Sequence, residues 1–325
     1  MQREFQTTPH TEQTISVIIP VCDRPDELEA AIASVEAQDG LDDVRIEIVV
    51  VDDAINKPLP ESFARRPLTL IRAGTNKGPA AARNLGLAAS TGRFIAFLDS
   101  DDVWLADKLA QQMRYLLVNC APDARASTVV SCGFCTTNRM SGRIETRMPA
   151  PATHIETFAS GCWFAPGTTF FADRTVFERV GSFDERLRRL EDFEWFIRFG
   201  LAGGRLLTCP IPGAVILPSG KAKPDDVVTA TNLIRQKLTS APYTALSAPA
   251  LRYLQSYLEL ECLLVQATSR RFLSSGVHLM KSFAWKPRLR AAVQDFWVRS
   301  SDVPLAATEA FDAMLARKHA REANR

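Results

Sequence analysis

Residues 76–102 read NKGPAAARNLGLAASTGRFIAFLDSDD, and this stretch decides the fold class. Pro79 suits the first turn of a helix, the alanine-rich run after it favours that helix, and Gly92 is expected to end it. Residues 94–98 form a short apolar run of the kind that makes a buried strand, and acidic residues follow it directly. The stretch therefore predicts a helix followed by a strand whose carboxyl end is acidic.

The same alternation of elements extends upstream. Residues 15–20 and 46–51 are apolar and rich in β-branched side chains, which predicts two further buried strands. A helix is expected to open at Pro25 between them, and a third short strand is expected at residues 68–71. Alternating strands and helices are typical of βαβ units. We therefore expect an α/β fold with a mixed, largely parallel sheet flanked by helices.

The second half of the chain is less regular. Short strands are expected at residues 128–132 and 170–171, and a helix is expected to begin near Asp192. The chain becomes helical from Asp226 onward, after a Pro-, Gly- and Ser-containing break at residues 218–224. These patterns divide the chain into three parts, which are a flexible N-terminus at 1–13, a catalytic domain at 14–220 and a helical C-terminal region at 221–325.

Composition limits the classes of function. Of 325 residues, 46% are hydrophobic, which is enough for a large globular core. Lys and Arg number 39 against 37 for Asp and Glu, so the net charge of +2 gives no general attraction to nucleic acid. The N-terminal residues lack the apolar segment of a secretory signal, and no apolar run approaches the ~18 residues of a membrane span. We expect a cytoplasmic protein.

Acidic residues follow two of the predicted strands. Asp52 and Asp53 come after one strand, and Asp99, Asp101 and Asp102 come after another. In open parallel sheets the carboxyl ends of the strands meet at one edge, where ligands bind. That edge is the predicted active site.

The spacing of Asp99 and Asp101, with Ser100 between them, predicts a metal site. Side chains two residues apart in an extended segment point the same way. Two carboxylates there suit Mg²⁺ or Mn²⁺, which take one or two protein carboxylates and complete their shell with water and phosphate oxygens. Asp residues also terminate strands and cap helices without binding a ligand, so the spacing alone leaves both interpretations open.

Two further residues suit contacts with a nucleotide. Asp53 can accept a hydrogen bond from the imide N–H of uracil or thymine, which favours a uridine or thymidine nucleotide such as UDP or dTDP, or it can be a turn residue. Arg83 lies within the alanine-rich helix, where it can approach base or phosphate or remain solvated on the helix face.

Residues 190–198 read LEDFEWFIR, with acidic residues at a predicted helix start. The helix dipole favours Glu191 and Asp192 there without any catalytic role. Asp192 is also a candidate general base, which would take the proton of a hydroxyl group as its oxygen attacks.

Four segments together resemble a known family. Residues 16–28 (SVIIPVCDRPDEL), 46–53 (IEIVVVDD), 76–102 and 190–198 occur in the order and spacing of inverting family 2 glycosyltransferases. The resemblance covers roughly residues 14–217. It implies a GT-A fold with a helical C-terminal extension, a nucleotide-sugar donor bound with a divalent ion, and inversion at the anomeric carbon by a single displacement.

The resemblance also implies roles for particular residues on the donor side. Pro20 and Val21 would line the nucleoside pocket, Asp53 would hold the base, and Asp101 would be the principal metal ligand beside Asp99.

On the acceptor side, Asp192 matches the catalytic base of the family's Glu-Asp motif, in which Glu191 precedes it. Arg83 matches a helix arginine near the donor.

Two positions depart from the family pattern. Ala54 and Ile55 stand where Gly-Ser is common, so the resemblance does not imply the family's usual conformation for that turn. Cys22 and Asp23 stand where an aromatic residue and Asn are frequent, so Asp23 is a further candidate for nucleotide binding in an altered pocket.

The resemblance implies a metal-dependent inverting glycosyltransferase of cell-surface polysaccharide or glycoconjugate assembly, acting on a saccharide or lipid-linked acceptor. A sugar-phosphate nucleotidyltransferase is an alternative, but residues 20–28 contain no glycine where its phosphate loop would lie. A non-catalytic protein that binds the nucleotide sugar as a scaffold would look identical at the pocket.

The C-terminal region interleaves aromatic and basic residues. This pattern is compatible with peripheral contact to the inner face of the cell membrane, or with an ordinary helical domain. The aromatic residues are Phe272, Phe283, Trp285, Phe296 and Trp297, and the basic residues are Arg270, Arg271, Lys281, Lys286, Arg288 and Arg290.

Overall fold

The computed structural model describes residues 13–54, 58–138, 141–217, 223–285 and 296–323. Within them the strands are β1 Gln13–Val21, β2 Val44–Asp52, β3 Thr69–Arg72, β4 Phe94–Phe97, β5 Val103–Trp104, β6 Thr128–Thr137, β7 Ile144–Pro149, β8 Phe171–Asp173, β9 Arg205–Val215 and β10 Trp297–Ser300. The helices are α1 Pro25–Glu36, α2 Glu61–Ala64, α3 Pro79–Ala89, α4 Lys108–Asn119, α5 Ile155–Phe158, α6 Pro166–Thr169, α7 Thr175–Val180, α8 Glu191–Leu201, α9 Pro224–Lys237, α10 Ala248–Thr268, α11 Phe272–Trp285 and α12 Leu305–Ala323.

Some of the sequence expectations lie outside the described residues. They concern the N-terminus before residue 13, the turn residue Ile55, the proposed boundary at 220 and the basic residues Lys286, Arg288 and Arg290. The division into domains therefore stays a prediction.

The parallel half of the sheet confirms the expected strands. β1 pairs in parallel with β2 on one side and β4 on the other, and β2 pairs in parallel with β3. Successive β1 residues alternate between the two faces, so Ile18 joins one hydrophobic cluster while Val17 and Ile19 join the other. Helices cover both faces, which explains why these strands are apolar throughout.

The other half of the sheet is mainly antiparallel, so antiparallel pairing is more extensive than the βαβ pattern predicts. The strand order is β10-β7-β6-β8-β4-β1-β2-β3, and β9 pairs with β6 in parallel and with β5 antiparallel. β5, β7, β9 and β10 were not predicted. β9 contains Pro210 and Pro212, which argue against a strand, and the β6–β9 register shifts beside them.

The C-terminal region is mostly helical where it is described, and it also completes the sheet. β10 pairs with β7 and forms one edge of the sheet. Ala307, Phe311 and Met314 of α12 pack in a small cluster with Val103 and Val215. No helix within the described ranges is long and apolar enough to cross a membrane.

An aromatic cluster holds α8 in place beneath the site. Trp195 is fully buried and packs against Phe170, Phe177 and Phe199 at ring-centroid distances of 6.0, 5.2 and 5.4 Å. Its indole N–H donates to the carbonyl of Gly181 at 2.8 Å. The start of α8, which carries the acidic pair, is therefore anchored to the core.

Candidate active site

All but one of the predicted site residues meet around a cavity of about 600 Å³. It lies where β1, β2 and β4 end and where α3 and α8 begin. The predicted residues in its wall are Pro20, Val21, Asp53, Arg83, Asp99, Ser100, Asp101, Glu191 and Asp192. Asp23 is not in the wall and is exposed on the turn after β1, with a φ of 56°.

Asp53 organises the loop before α3. Its backbone N–H donates to the carbonyl of Val21 at 2.8 Å, which aligns the tips of β2 and β1. Its carboxylate oxygens accept from the backbone N–H groups of Lys77 and Gly78, both at 2.8 Å. Gly78 has a φ of 92°, a conformation that favours glycine. Asp53 therefore fixes the loop at the cavity edge, which the sequence did not predict, and its contact with a base stays a prediction.

Arg83 is buried and bridges two acidic residues. Its Nη1 donates to Glu191 Oε1 at 2.7 Å and its Nη2 donates to Asp99 Oδ1 at 2.8 Å. The guanidinium also lies 5.9 Å from the ring centroids of Phe97 and Phe183. The two carboxylates raise the pKa of Arg83, although burial opposes them. Arg83 therefore joins α3, the end of β4 and the start of α8. It is not a solvated arginine on the helix face.

The acidic residues after β4 are crowded. Burial and the neighbouring Asp99 raise the pKa of Asp101, although an ion pair with Arg24 opposes them. Burial, Asp101 and Asp99 raise the pKa of Asp102 well above its usual range, and Thr168 donates to its Oδ2 at 2.5 Å. This crowding of carboxylates is an environment in which a bound cation would be favourable.

The donor set at this point fits a hard divalent cation. Asp99 and Asp101 both retain exposure to the cavity, with side chains 40% and 23% accessible. Across the described ranges no group of three or more Asp, Glu, His or Cys residues is arranged to hold a metal alone. Two carboxylates are nevertheless what Mg²⁺ or Mn²⁺ uses when substrate phosphates supply further oxygens. A side chain at Gly167 would collide with the Asp99 carboxylate, so Gly167 makes room for this arrangement.

Asp192 lies in the first turn of α8, directly after the residue that pairs with Arg83. The residue before the helix, Leu190, has a φ of 60°, which turns the chain sharply into α8. Asp192 Oδ1 accepts from the N–H of Phe193 at 2.7 Å. Burial and the adjacent Glu191 raise the pKa of Asp192 to about 6, with Arg83 opposing them. A carboxylate with this pKa is suited to act as a base near neutral pH.

Part of the cavity comes from residues that the sequence did not single out. Cys162 and, from α10, Tyr257 and Glu261 line it. The Tyr257 hydroxyl is hydrogen-bonded to Glu261, and its ring packs on Phe193 at 4.5 Å between centroids. Asp192 is close enough for its charge to raise the pKa of Tyr257, after burial and Glu261. α10 thus forms a wall of the cavity beside the candidate base.

Solved structures define the class to which this fold belongs. S. aureus TarS 1–349 in complex with UDP-GlcNAc superposes with a TM-score of 0.56 at 18% identity, covering 87% of this chain and 78% of that chain. The mannosyltransferase PcManGT from Pyrobaculum calidifontis, in complex with GDP-Man and Mn²⁺, has a TM-score of 0.55 at 22% identity, covering 97% and 84%. The α/β architecture is therefore the GT-A fold of glycosyltransferases.

The family follows from the sequence match. The sequence model of the protein family described as Glycosyl transferase family 2 matches residues 16–181, so the chain belongs to that family. The succinoglycan biosynthesis protein ExoO of Rhizobium meliloti is 30% identical over 210 residues, covering 62% of this chain and 60% of ExoO. The chain spans between 15% and 60% of the length of the first curated relatives that it matches.

Proposed function

We propose that the chain transfers a sugar from a nucleotide-diphosphate donor to an acceptor hydroxyl with inversion of configuration. One observation carries the proposal, namely that the candidate base Asp192 and the candidate donor-side carboxylates Asp53, Asp99 and Asp101 line the same cavity. Membership of glycosyl transferase family 2 supports it. The similarity to a succinoglycan biosynthesis protein supports a role in assembling a cell-surface polysaccharide or glycoconjugate.

The donor half of the cavity is proposed to hold a UDP- or dTDP-sugar. Pro20 and Val21 would line the nucleoside, and Asp53 would accept from the base. The carboxylate of Asp53 can take a further hydrogen bond, because each oxygen has two lone pairs and the loop uses one on each. Asp23 would provide a further contact to the nucleotide from the exposed turn after β1.

Mg²⁺ or Mn²⁺ is proposed to bind at Asp101 with Asp99, next to Ser100. When bound, the ion would neutralise charge on the departing diphosphate. Arg24 would first have to release the Asp101 carboxylate, since the two are ion-paired. The Mn²⁺ named with PcManGT supports this assignment.

Asp192 is proposed to take the acceptor proton. The acceptor oxygen attacks the anomeric carbon as the bond from that carbon to the phosphate oxygen breaks, and the hydroxyl proton passes to the Asp192 carboxylate. The electron pair of the broken bond leaves with the diphosphate. Attack from the face opposite the leaving group inverts the anomeric centre. Arg83 would keep Glu191 and the start of α8 in position during the step.

The acceptor is proposed to be a saccharide, free or lipid-linked, bound along the α10 wall. Tyr257 and Glu261 offer a ring and a carboxylate beside Asp192. Sugar rings pack on aromatic rings, and carboxylates accept from sugar hydroxyls. The protein is proposed to act in the cytoplasm, at the inner face of the cell membrane when the acceptor is lipid-linked.

A ligand screen followed by a turnover assay tests the function. With Mn²⁺ present, a UDP- or dTDP-sugar is expected to raise the melting temperature more than a GDP-sugar, because a ligand that binds only the native state stabilises it. The donor that binds is then incubated with saccharide acceptors, and product is measured. If none of the nucleotide sugars binds, the proposal is contradicted. Donor binding without release of nucleotide diphosphate would instead support the non-catalytic scaffold.

A further inference from the structure

Three polar side chains of helix α11 contact α10. Ser282 Oγ lies 2.9 Å from Ser256 Oγ of α10, and His278 Nδ1 lies 2.6 Å from Glu259 Oε2. Ser275 Oγ donates to the carbonyl of Leu263 at 3.3 Å. Ser275 and Ser282 are buried, at 8% and 3% accessibility. Hydrogen bonds between polar side chains therefore join the two helices.

Several apolar side chains of α11 face away from the protein. Leu273, Val277 and Met280 are spaced by four and three residues, which places them on one side of the helix. Leu273 is 92% exposed and Met280 is 67% exposed, and Phe283 and Trp285 are also exposed. This inverts the usual amphipathic arrangement of a surface helix. A row of exposed apolar side chains on one helix face is typical of an interaction site.

The charge on this segment is of one sign. Residues 269–285 contain Arg270, Arg271 and Lys281, all exposed, and no Asp or Glu. Basic residues beside an apolar helix face are complementary to an anionic lipid surface, where the apolar side chains enter the acyl boundary and the cations contact headgroups.

We propose that α11 binds to the surface of an anionic lipid bilayer. Its 14 residues span about 21 Å at ~1.5 Å per residue, which is less than the hydrocarbon core of a bilayer. The helix therefore lies in the plane of the interface, with Leu273, Val277 and Met280 inserted.

The position of α11 is relevant to the proposed function, and this step rests on that function because it assumes a lipid-linked acceptor at the α10 wall. α10 uses Ser256, Glu259 and Leu263 to contact α11, and it uses Tyr257 and Glu261 to line the cavity. These two sets lie on neighbouring sides of a single helix. A bilayer on α11 would therefore lie about one helix packing layer away from the acceptor wall, where a lipid-linked acceptor would be presented.

Vesicle sedimentation with the whole chain tests the inference without any assay of transfer. Vesicles of phosphatidylcholine alone are compared with vesicles that also contain phosphatidylglycerol. We expect binding to the anionic vesicles, and we expect the double variant Leu273→Gln/Met280→Gln to reduce it by at least about tenfold. Both side chains are exposed, so circular dichroism and melting temperature should be unchanged.

Val118→Gln is the matched control, because Val118 is an apolar residue of α4 that is 77% exposed. It should bind vesicles as the native chain does. Equal binding by the native chain and the double variant would overturn the proposal, as would absence of binding to anionic vesicles. Light scattering without lipid is the second measurement, since a dimer that the double variant dissociates would mean that a second copy covers this face. Transfer to a short soluble acceptor should be retained by the double variant, so a failure of the lipid proposal is distinguishable from a failure of the proposed function.

Discussion

Arg83 Nη1 donates to Glu191 Oε1 at 2.7 Å, joining two residues that are 108 positions apart in the chain. The bond connects the middle of α3, which borders the donor half of the cavity, to the first residue of α8, which carries the candidate base. Because Nη2 of the same guanidinium donates to Asp99, one buried cation balances two carboxylates from separate elements. The two halves of the site are thus held together at Arg83.

Replacing Arg83 with alanine should destabilise the fold strongly. The change leaves Glu191 buried without its partner, and loss of one member of a buried ion pair costs about 3–5 kcal/mol. Chemical denaturation should show this decrease in the free energy of unfolding. Arg72→Ala is the control, because Arg72 pairs with Glu61 at 2.7 Å and both side chains are exposed, so its loss should cost less than about 1 kcal/mol. Equal losses for the two variants would show that the Arg83 bridge is not structural.

The strands that carry the site, and the edge of the sheet where it lies, could be predicted from the sequence alone. Residues 15–20, 46–51 and 94–98 predicted strands correctly, because a strand buried on both faces needs an unbroken apolar run. Acidic residues at the strand tips then located the cavity, since topology brings those tips to one edge. Apolar runs and the acidic residues after them are local features of the sequence, and the geometry of parallel sheets is general, so both predictions could be made without a structure.

The partners of Arg83, the α10 wall and strand β9 could not be predicted, because they depend on contacts between distant parts of the chain. Nothing near Arg83 in the sequence indicates that its partners lie 16 and 108 residues away. Tyr257 and Glu261 lie in an ordinary helical pattern, and only the tertiary packing of α10, in which Tyr257 contacts Phe193 of α8, brings them to the cavity. β9 was missed because its prolines are tolerated where the ladder is irregular, which tertiary structure decides.

Asp192→Asn should retain donor binding and lose transfer. The amide cannot accept the acceptor proton, and a positioned base contributes about 10²–10⁴-fold. We expect kcat to fall by at least about a hundredfold, while calorimetry with the donor and Mn²⁺ gives an unchanged affinity. Asp225→Asn, an exposed residue of α9, makes the same chemical change outside the cavity wall and should leave kcat unaltered. Normal turnover by Asp192→Asn would remove this residue from the mechanism.

The pH dependence of transfer should report the same carboxylate. Burial and Glu191 raise the pKa of Asp192 to about 6, and only the ionised form can accept a proton. The value of kcat/KM should therefore be constant above that pH and fall about tenfold per pH unit below it. Measurement between pH 4.5 and 8 checks this, with the residual activity of Asp192→Asn as the control that lacks the step. A profile that stays flat down to pH 4.5 would contradict the raised pKa.

Asp101→Ala should weaken donor binding only when the metal is present. Loss of one of two carboxylate ligands lowers metal affinity, and the diphosphate then loses its bridge to the protein. With Mn²⁺ we expect the donor dissociation constant to rise at least about tenfold, and without Mn²⁺ we expect native and variant chains to bind alike. Asp107→Ala provides the control, since Asp107 is exposed and outside the cavity wall. Calorimetry showing equal donor affinity for Asp101→Ala and the native chain in Mn²⁺ would count against a metal at this position.

Changes to the α10 wall should affect the acceptor and spare the donor. Tyr257→Phe removes the hydroxyl bonded to Glu261, and Glu261→Gln removes the charge that accepts from sugar hydroxyls. One hydrogen bond is worth roughly 0.5–1.5 kcal/mol, so each variant should raise the acceptor KM by about two- to tenfold with little change in the donor KM. Glu309→Gln on α12 makes the matched change away from the cavity and should leave both constants unaltered. The KM for each substrate is measured with the other substrate saturating. If the donor KM rises instead of the acceptor KM, the α10 wall lies on the nucleotide side of the cavity.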